Sequence, residues 1–327
     1  MTTSRPFFGR FQISRLLGLS FKLGLTIAAF WFALKDVDFA HLTAMLETQR
    51  ISGLAEAALL VVTQIMLGAF RWRMVLAVLT QSSLKVLPAL TALRLYYISI
   101  FFNCCLPGTV GGDVIRVWLA KSERIPLSTA IHSVVIDRLI ALIALGLLVL
   151  LTMSSLGSVV GFDSRYWVPA ALMAVGAGVW LLPRIAKLLA PYGHIRPVHW
   201  LLQFLDCLRV MLTYPKTSLL SLLCAVLSHL AFCLCAYALA QSLNIELTLL
   251  QCITLVPLVL VITTIPVSIG GWGVREAGMV GLLGLVGVSQ AGALMLSVEL
   301  GFIVIAVSLP AAGLWLLYRR RAGNDSD

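Results

Sequence analysis

Charge is what this chain has least of. Asp, Glu, Lys and Arg make up 12% of its 327 residues, about half the share of a typical soluble domain. Hydrophobic residues make up 60%, and mean hydropathy is +0.99. That composition excludes a soluble or secreted globular protein and implies an integral membrane protein. The net charge is +10, but the positive residues sit in short loops, where they set orientation. No nucleic-acid partner is expected from them.

Catalytic and metal-binding patterns are also missing. Seven cysteines fall in apolar or amphipathic stretches with no CxxC pair, so small buried hydrophobes are expected rather than a redox or metal site. The five histidines are scattered, with no HExxH or other metal spacing. Ser128 and Ser133 have no obvious His-Asp partners, and there is no phosphate-binding nucleotide loop. An enzyme is not expected, nor a cofactor, nor a metal.

What is there is one pattern used twice. The first copy reads Leu106-Pro107-Gly108-Thr109-Val110-Gly111-Gly112-Asp113-Val114-Ile115-Arg116, and the second reads Ile265-Pro266-Val267-Ser268-Ile269-Gly270-Gly271-Trp272-Gly273-Val274-Arg275-Glu276. Proline is followed by Gly-Gly, then by arginine, at the same spacing in both. Pro107 and Pro266 are 159 residues apart, which points to an internal duplication. Each copy interrupts an apolar stretch, so each is expected to break one helix and start another near the glycine pair. A helix that starts inside a membrane aims unpaired N–H groups and its positive dipole end at whatever lies there. The bland alternative is a pair of packing kinks.

The apolar runs predict spans at 16–34, 54–70, 129–152, 166–182, 217–242 and 290–317. A basic arm covers 1–15, a single transmembrane domain 16–318, and a basic tail 319–327. Residues 84–105 and 247–265 lead into the two motifs, and 198–212 read as an amphipathic surface helix. Arg71-Trp72-Arg73 is expected to be an interfacial anchor that closes the second span. The positive-inside rule then decides the motifs' geometry. If both motifs lie in re-entrant hairpins, sixteen of the 24 Lys and Arg residues fall inside and three outside. If 84–105 spans fully, the positive loop 184–216 moves outside and violates the rule. The expected fold is therefore an all-α polytopic membrane protein with about six transmembrane helices. Two broken-helix hairpins oppose one another in an inverted repeat. Both termini are expected to be cytoplasmic, at an inner (plasma) membrane.

Ionisable residues at membrane depth are costly and mark function or structural pairing. Asp113 and Arg116 are three apart and share a helix face. Asp137 and Arg138 are adjacent, project in different directions and need partners elsewhere. Arg275 and Glu276 open the second short helix, and Glu299 lies on the span after it, in a place similar to that of Asp137. The functional reading is a central polar cavity. Arg116, Arg275 and the glycine pairs Gly111-Gly112 and Gly270-Gly271 would take a phosphate. The carboxylates Asp113, Asp137, Glu276 and Glu299, with Arg138, would orient the arginines or carry protons. The alternative is a set of ion pairs locking helices together, with Asp113 serving as an N-terminal cap.

The run Asn103–Arg116 with Asp137-Arg138, and the run Pro266–Ala277 with Gly287-Val288, resemble the membrane region of lysylphosphatidylglycerol synthetases. The resemblance covers roughly residues 15–318. In that family this region is the flippase, which moves an aminoacylated lipid between leaflets, while a separate soluble domain makes the lipid. The resemblance implies the flippase part alone, without aminoacyl transfer. By matching motifs it implies functional roles for Asp113, Arg116, Arg138, Arg275 and Glu276. The final span departs from the pattern: Leu300 follows Glu299 where an acidic-arginine pair is expected. The expected function is movement of a polar, phosphate-bearing lipid between leaflets, with the lipid as the partner. Two rivals stand beside it: a non-transporting scaffold for a lipid-modifying or glycosyl-transferring enzyme, and a membrane enzyme acting on lipid phosphates.

Overall fold

The computed structural model describes residues 45–80, 87–106, 110–152, 180–264 and 271–324, with positions 24, 31, 173 and 177 besides. The expected spans 16–34 and 166–182 therefore lie almost wholly outside the described residues, as do Pro107, Pro266 and Gly270. Every regular element among the described residues is helical.

The same order of helices occurs twice. In the first half, a long α1 (Ile51–Leu79) is followed by α2 (Ala89–Cys105), a short α3 (Gly111–Ser122) and a long α4 (Leu127–Thr152). After the amphipathic α5 (Arg196–Thr213), the second half repeats the series: α6 (Pro215–Ser242), α7 (Leu249–Thr264), a short α8 (Val274–Gly284) and α9 (Gln290–Ser308). The last helix, α10 (Pro310–Asn324), continues the line of α9 beyond Leu309. Among the described residues, four stretches are long and apolar enough to cross a membrane: Ile51–Leu79, Leu127–Thr152, Pro215–Ser242 and Gln290–Tyr318. The helices α2 and α7, with 17 and 16 residues, are shorter.

Local chemistry repeats along with length. Each short helix ends in a residue of positive φ, Arg124 (64°) after α3 and Gly287 (87°) after α8. The next amide in each case reaches back five residues, Ile125 to the Ala120 carbonyl and Val288 to that of Leu283. This closure satisfies carbonyls that a helix end leaves unpaired and turns the chain into the following long helix.

The long helices α1 and α6 form the main contact between the halves, and α7 crosses over to pack on α4. Small residues let α1 and α6 approach: a Cβ added to Gly53 would collide with Ser242 of α6. The largest core cluster joins Val61 and Ile65 of α1 to Leu239 of α6, Leu255 of α7 and Leu296 of α9. A second gathers Trp72, Leu95, Leu119 and Ala311. In α5, Trp200 stacks on Phe204 (centroids 5.9 Å apart), and both rings lie against His132 of α4.

One expectation fails at α1. The helix does not end at the Arg71-Trp72-Arg73 anchor but runs on to Leu79. Arg71 and Trp72 are buried, with Trp72 wholly enclosed. The run Met74–Leu79 continues the apolar pattern, and Arg71 has a carboxylate to meet inside the protein. Arg73 donates to the Leu87 carbonyl at 2.9 Å. Arg94 lies 3.9 Å from Glu123, just past the end of α3, and over the Tyr318 ring.

Candidate substrate cavity and its arginines

Five side chains form a continuous ladder of ion pairs. Arg71 Nε donates to Asp137 Oδ1 at 2.7 Å. The other oxygen of Asp137 accepts from Arg116 Nη1 at 3.0 Å. Arg116 Nη2 donates to Asp113 Oδ1 at 2.8 Å, and Asp113 Oδ2 accepts from Arg138 Nε at 2.8 Å. The order is Arg71, Asp137, Arg116, Asp113, Arg138, drawn from α1, α3 and α4. Adjacent residues on a helix point about 100° apart, so Asp137 serves the inner pairs while Arg138 serves the outer end.

Alternation of sign is what makes this burial tolerable, because each interior charge is flanked by opposite charge. Arg71, Arg116 and Asp137 are buried, whereas the Arg138 side chain is 49% exposed. With three cations and two anions, the formal excess is one positive charge. Two rings hold Arg116 between them, Trp72 and Tyr96, with centroids 5.3 and 5.0 Å from its guanidinium carbon. Trp72 in turn donates to Ser133 Oγ at 3.2 Å.

The glycine pair sets α3 against α2. The Gly112 amide donates to Asn103 Oδ1 at 2.9 Å. A Cβ on Gly112 would run into the Ser99 carbonyl, and one on Gly111 would lie 2.6 Å from Leu106 Cβ. Asp113 sits in the first turn, but α3 has no side-chain cap. Its carboxylate is given to Arg116 and Arg138 instead.

The second motif has a simpler solution. Arg275 Nη2 and Nε donate to Glu276 Oε1 at 2.7 and 3.1 Å, and Nε also reaches Ser297 Oγ at 3.1 Å. Ser297 Oγ donates to the same Glu276 oxygen at 3.1 Å. The other oxygen of Glu276 accepts the Gly273 amide at 2.5 Å, so it caps α8 as well. Gly271 and Gly273 have φ of 82° and 81°, a backbone region that L side chains rarely enter. The glycines here make a left-handed turn, whereas those of the first motif allow close packing. Trp272 covers Arg275 at 4.7 Å. Both lie against Gly301, where any Cβ would strike them.

Glu299 stands apart from this group. Its Oε1 accepts from Gln49 Nε2 at 2.7 Å, and its Oε2 is buried without a hydrogen-bond partner among the described residues. The expected likeness between Glu299 and Asp137 therefore does not extend to their partners. Ser297 takes the place across from the second arginine that Asp137 takes across from the first.

Between the halves lies a cavity of about 650 Å³, within the range of small-ligand sites. Arg138 and Arg275 line it, one from each half, and no carboxylate among the described residues does. Gln64, Asn103, His229 and Thr263 add polar groups to a wall that is otherwise largely apolar. Arg116 is not on that wall; it lies behind Arg138, one Asp113 away. Residues that no local pattern marked also shape the site. Arg71, Trp72 and Tyr96 support Arg116, Ser297 braces Arg275, and Gly68 gives Tyr96 room. The long apolar run after Arg73 was the signal that α1 continued; the pairings themselves cross between helices and leave no spacing to read. Among the described residues, no group of His, Cys, Asp and Glu side chains is placed to hold a metal ion, and all seven cysteines are free.

No curated protein matches the chain. A family model does: that of the lysylphosphatidylglycerol synthase TM region matches residues 19–319. The duplicated motif, the helix order and the length of this match together place the chain in the family of lysylphosphatidylglycerol synthase transmembrane regions.

Proposed function

We propose that the protein moves a polar, phosphate-bearing lipid between the leaflets of the membrane. The observation that carries this reading is a largely apolar cavity with one arginine from each half on its wall. Guanidinium groups bind phosphate through paired hydrogen bonds and keep their charge at any physiological pH. The headgroup would meet Arg138 and Arg275 while the acyl chains stay against apolar surface. Arg116 is a positioning residue in this reading, holding Asp113 and through it Arg138.

The topology that suits this role has two further spans, at 16–34 and 166–182, and two re-entrant hairpins in inverted repeat. It is supported by helix length: α2 and α7 reach about 25 Å at 1.5 Å per residue, short of the roughly 30 Å hydrocarbon core. Both termini would then be cytoplasmic, at the inner (plasma) membrane. Membrane lipid is the substrate, and no step calls for a cofactor.

The test is lipid translocation in proteoliposomes, read by dithionite quenching of fluorescent lipids. Wild type is expected to move lipid well above the rate of protein-free vesicles, and Arg138→Gln and Arg275→Gln to slow it while remaining folded. If no lipid moves, transport falls. The scaffold role, with the exposed face of α5 as docking surface for a lipid-modifying enzyme, then takes its place.

A further inference from the structure

Several polar hydrogens on the cavity wall are already used inside the protein. Thr263 and Thr264 each donate a hydroxyl to the Leu260 carbonyl at 2.9 Å. His229 Nε2 lies 3.0 Å from the Ala141 carbonyl. A carbonyl only accepts, so that nitrogen carries the hydrogen and spends it there. Asn103 is different. Its Oδ1 accepts the Gly112 amide at 2.9 Å, and only the oxygen of a carboxamide can do so. The amide plane is thereby fixed, and Nδ2 keeps two hydrogens with no partner among the described residues. The side chain is half-buried and lines the cavity, and Nδ2 is not enclosed. Gly112 leaves the arrangement no slack, since a Cβ there would stand 2.7 Å from Asn103 Cγ. Gln64 also brings a carboxamide to the wall, but no hydrogen bond among the described residues fixes it.

The first turn of α3 thus anchors two donors to the cavity wall. Gly112 holds Asn103, and Asp113 holds Arg138. An N–H pair held in place recognises an acceptor oxygen, and phosphate oxygens only accept. The geometry points to Asn103 as a further binding residue of the cavity, with Nδ2 donating to a phosphate oxygen of the cargo. This contact deepens the transport reading above and rests on it. Asn103 then has two separable tasks: Oδ1 seats α3, and Nδ2 holds the headgroup.

The chain has three asparagines, Asn103, Asn244 and Asn324. Isotope labelling of asparagine nitrogen in the full chain therefore gives three side-chain amide signals by magnetic resonance, and Asn103→Asp identifies the relevant one. The protein in detergent is titrated with short-chain phosphatidylglycerol, with a short-chain diacylglycerol that lacks phosphate, and with glycerol 3-phosphate. The Asn103 signal is expected to shift with phosphatidylglycerol alone. Asn103→Asp keeps an acceptor for the Gly112 amide and removes the donor. It is expected to keep the melting temperature and weaken phosphatidylglycerol binding about tenfold or more, the scale of a hydrogen bond to a charged group. Asn103→Ala loses both tasks and should lower binding and melting temperature together.

An Asn103 signal that stays put with both phosphate compounds, or an aspartate variant that binds like wild type, would overturn the inference while leaving transport standing. A shifted signal in a protein that moves no lipid in proteoliposomes upholds the contact and removes the transport reading. Glycerol 3-phosphate shifting the signal as strongly as the lipid marks a site for soluble phosphate and overturns the assignment to a lipid.

Discussion

The two motif sites share a backbone pattern and an arginine, yet they stabilise that arginine in opposite ways. Arg116 is held by two carboxylates from two helices and enclosed by two rings. Arg275 relies on the carboxylate next to it in sequence, one serine and one ring. In the first half the motif arginine is buried, and Arg138 stands on the cavity wall instead. In the second half the motif arginine is itself on the wall. A duplicated motif thus fixes where a helix starts and where a cation stands, but not which partners complete the site.

This contrast can be broken by changing counter-charges, beginning with the largest expected effect. Asp137→Ala leaves Arg71 and Arg116 without their shared carboxylate, both buried. A loss of about 3–5 kcal/mol is expected, read as a sharp fall in melting temperature and yield in detergent. Glu276→Gln removes the carboxylate ion-paired with Arg275, but the amide oxygen can still accept the Gly273 N–H. It should cost about 1.5–3 kcal/mol and reduce translocation more than Asp137 substitution does at equal folded fraction. The glycines sharpen the comparison further. Gly112→Ala forces α3 away from the Ser99 carbonyl, at about 1–3 kcal/mol. Gly271→Ala meets open space, its nearest neighbour at 3.9 Å, and is expected to cost about 1–2 kcal/mol through its φ of 82° alone. Paired thermal scans of the two variants measure the difference. Glu299→Gln, outside both sites and able to keep the Gln49 contact, should shift stability by less than about 1 kcal/mol.

Much of this was readable in advance. The expected ends of α4 and α6 fall within about two residues of those observed, because hydrophobic periodicity and the Gly and Pro punctuation act locally. The outward divergence of Asp137 and Arg138 was also legible, since it follows from helix geometry. Arg71 was not. An arginine-tryptophan pair after a largely apolar run of seventeen residues, 54–70, has the composition of a membrane-interface anchor, and only the distant Asp137 turns it into a core residue. Which arginine faces the cavity was hidden for the same reason. Sequence spacing placed Arg116 correctly on its helix, but the shield of Trp72 and Tyr96 comes from α1 and α2.

The ladder also imposes an order on biosynthesis. Arg71 is made 66 residues before the aspartate that neutralises it. At about 5–20 residues per second, α1 leaves the ribosome several seconds before α4 exists to receive its charge. During that interval Arg71 must remain near water, at the mouth of the insertion machinery or at the lipid surface. Only when Asp137 arrives does the charge of Arg71 gain its partner inside the protein. The finished helix α1 is therefore seated late, and a ribosome stalled between residues 79 and 137 would leave it accessible to a water-soluble reagent that the completed protein excludes.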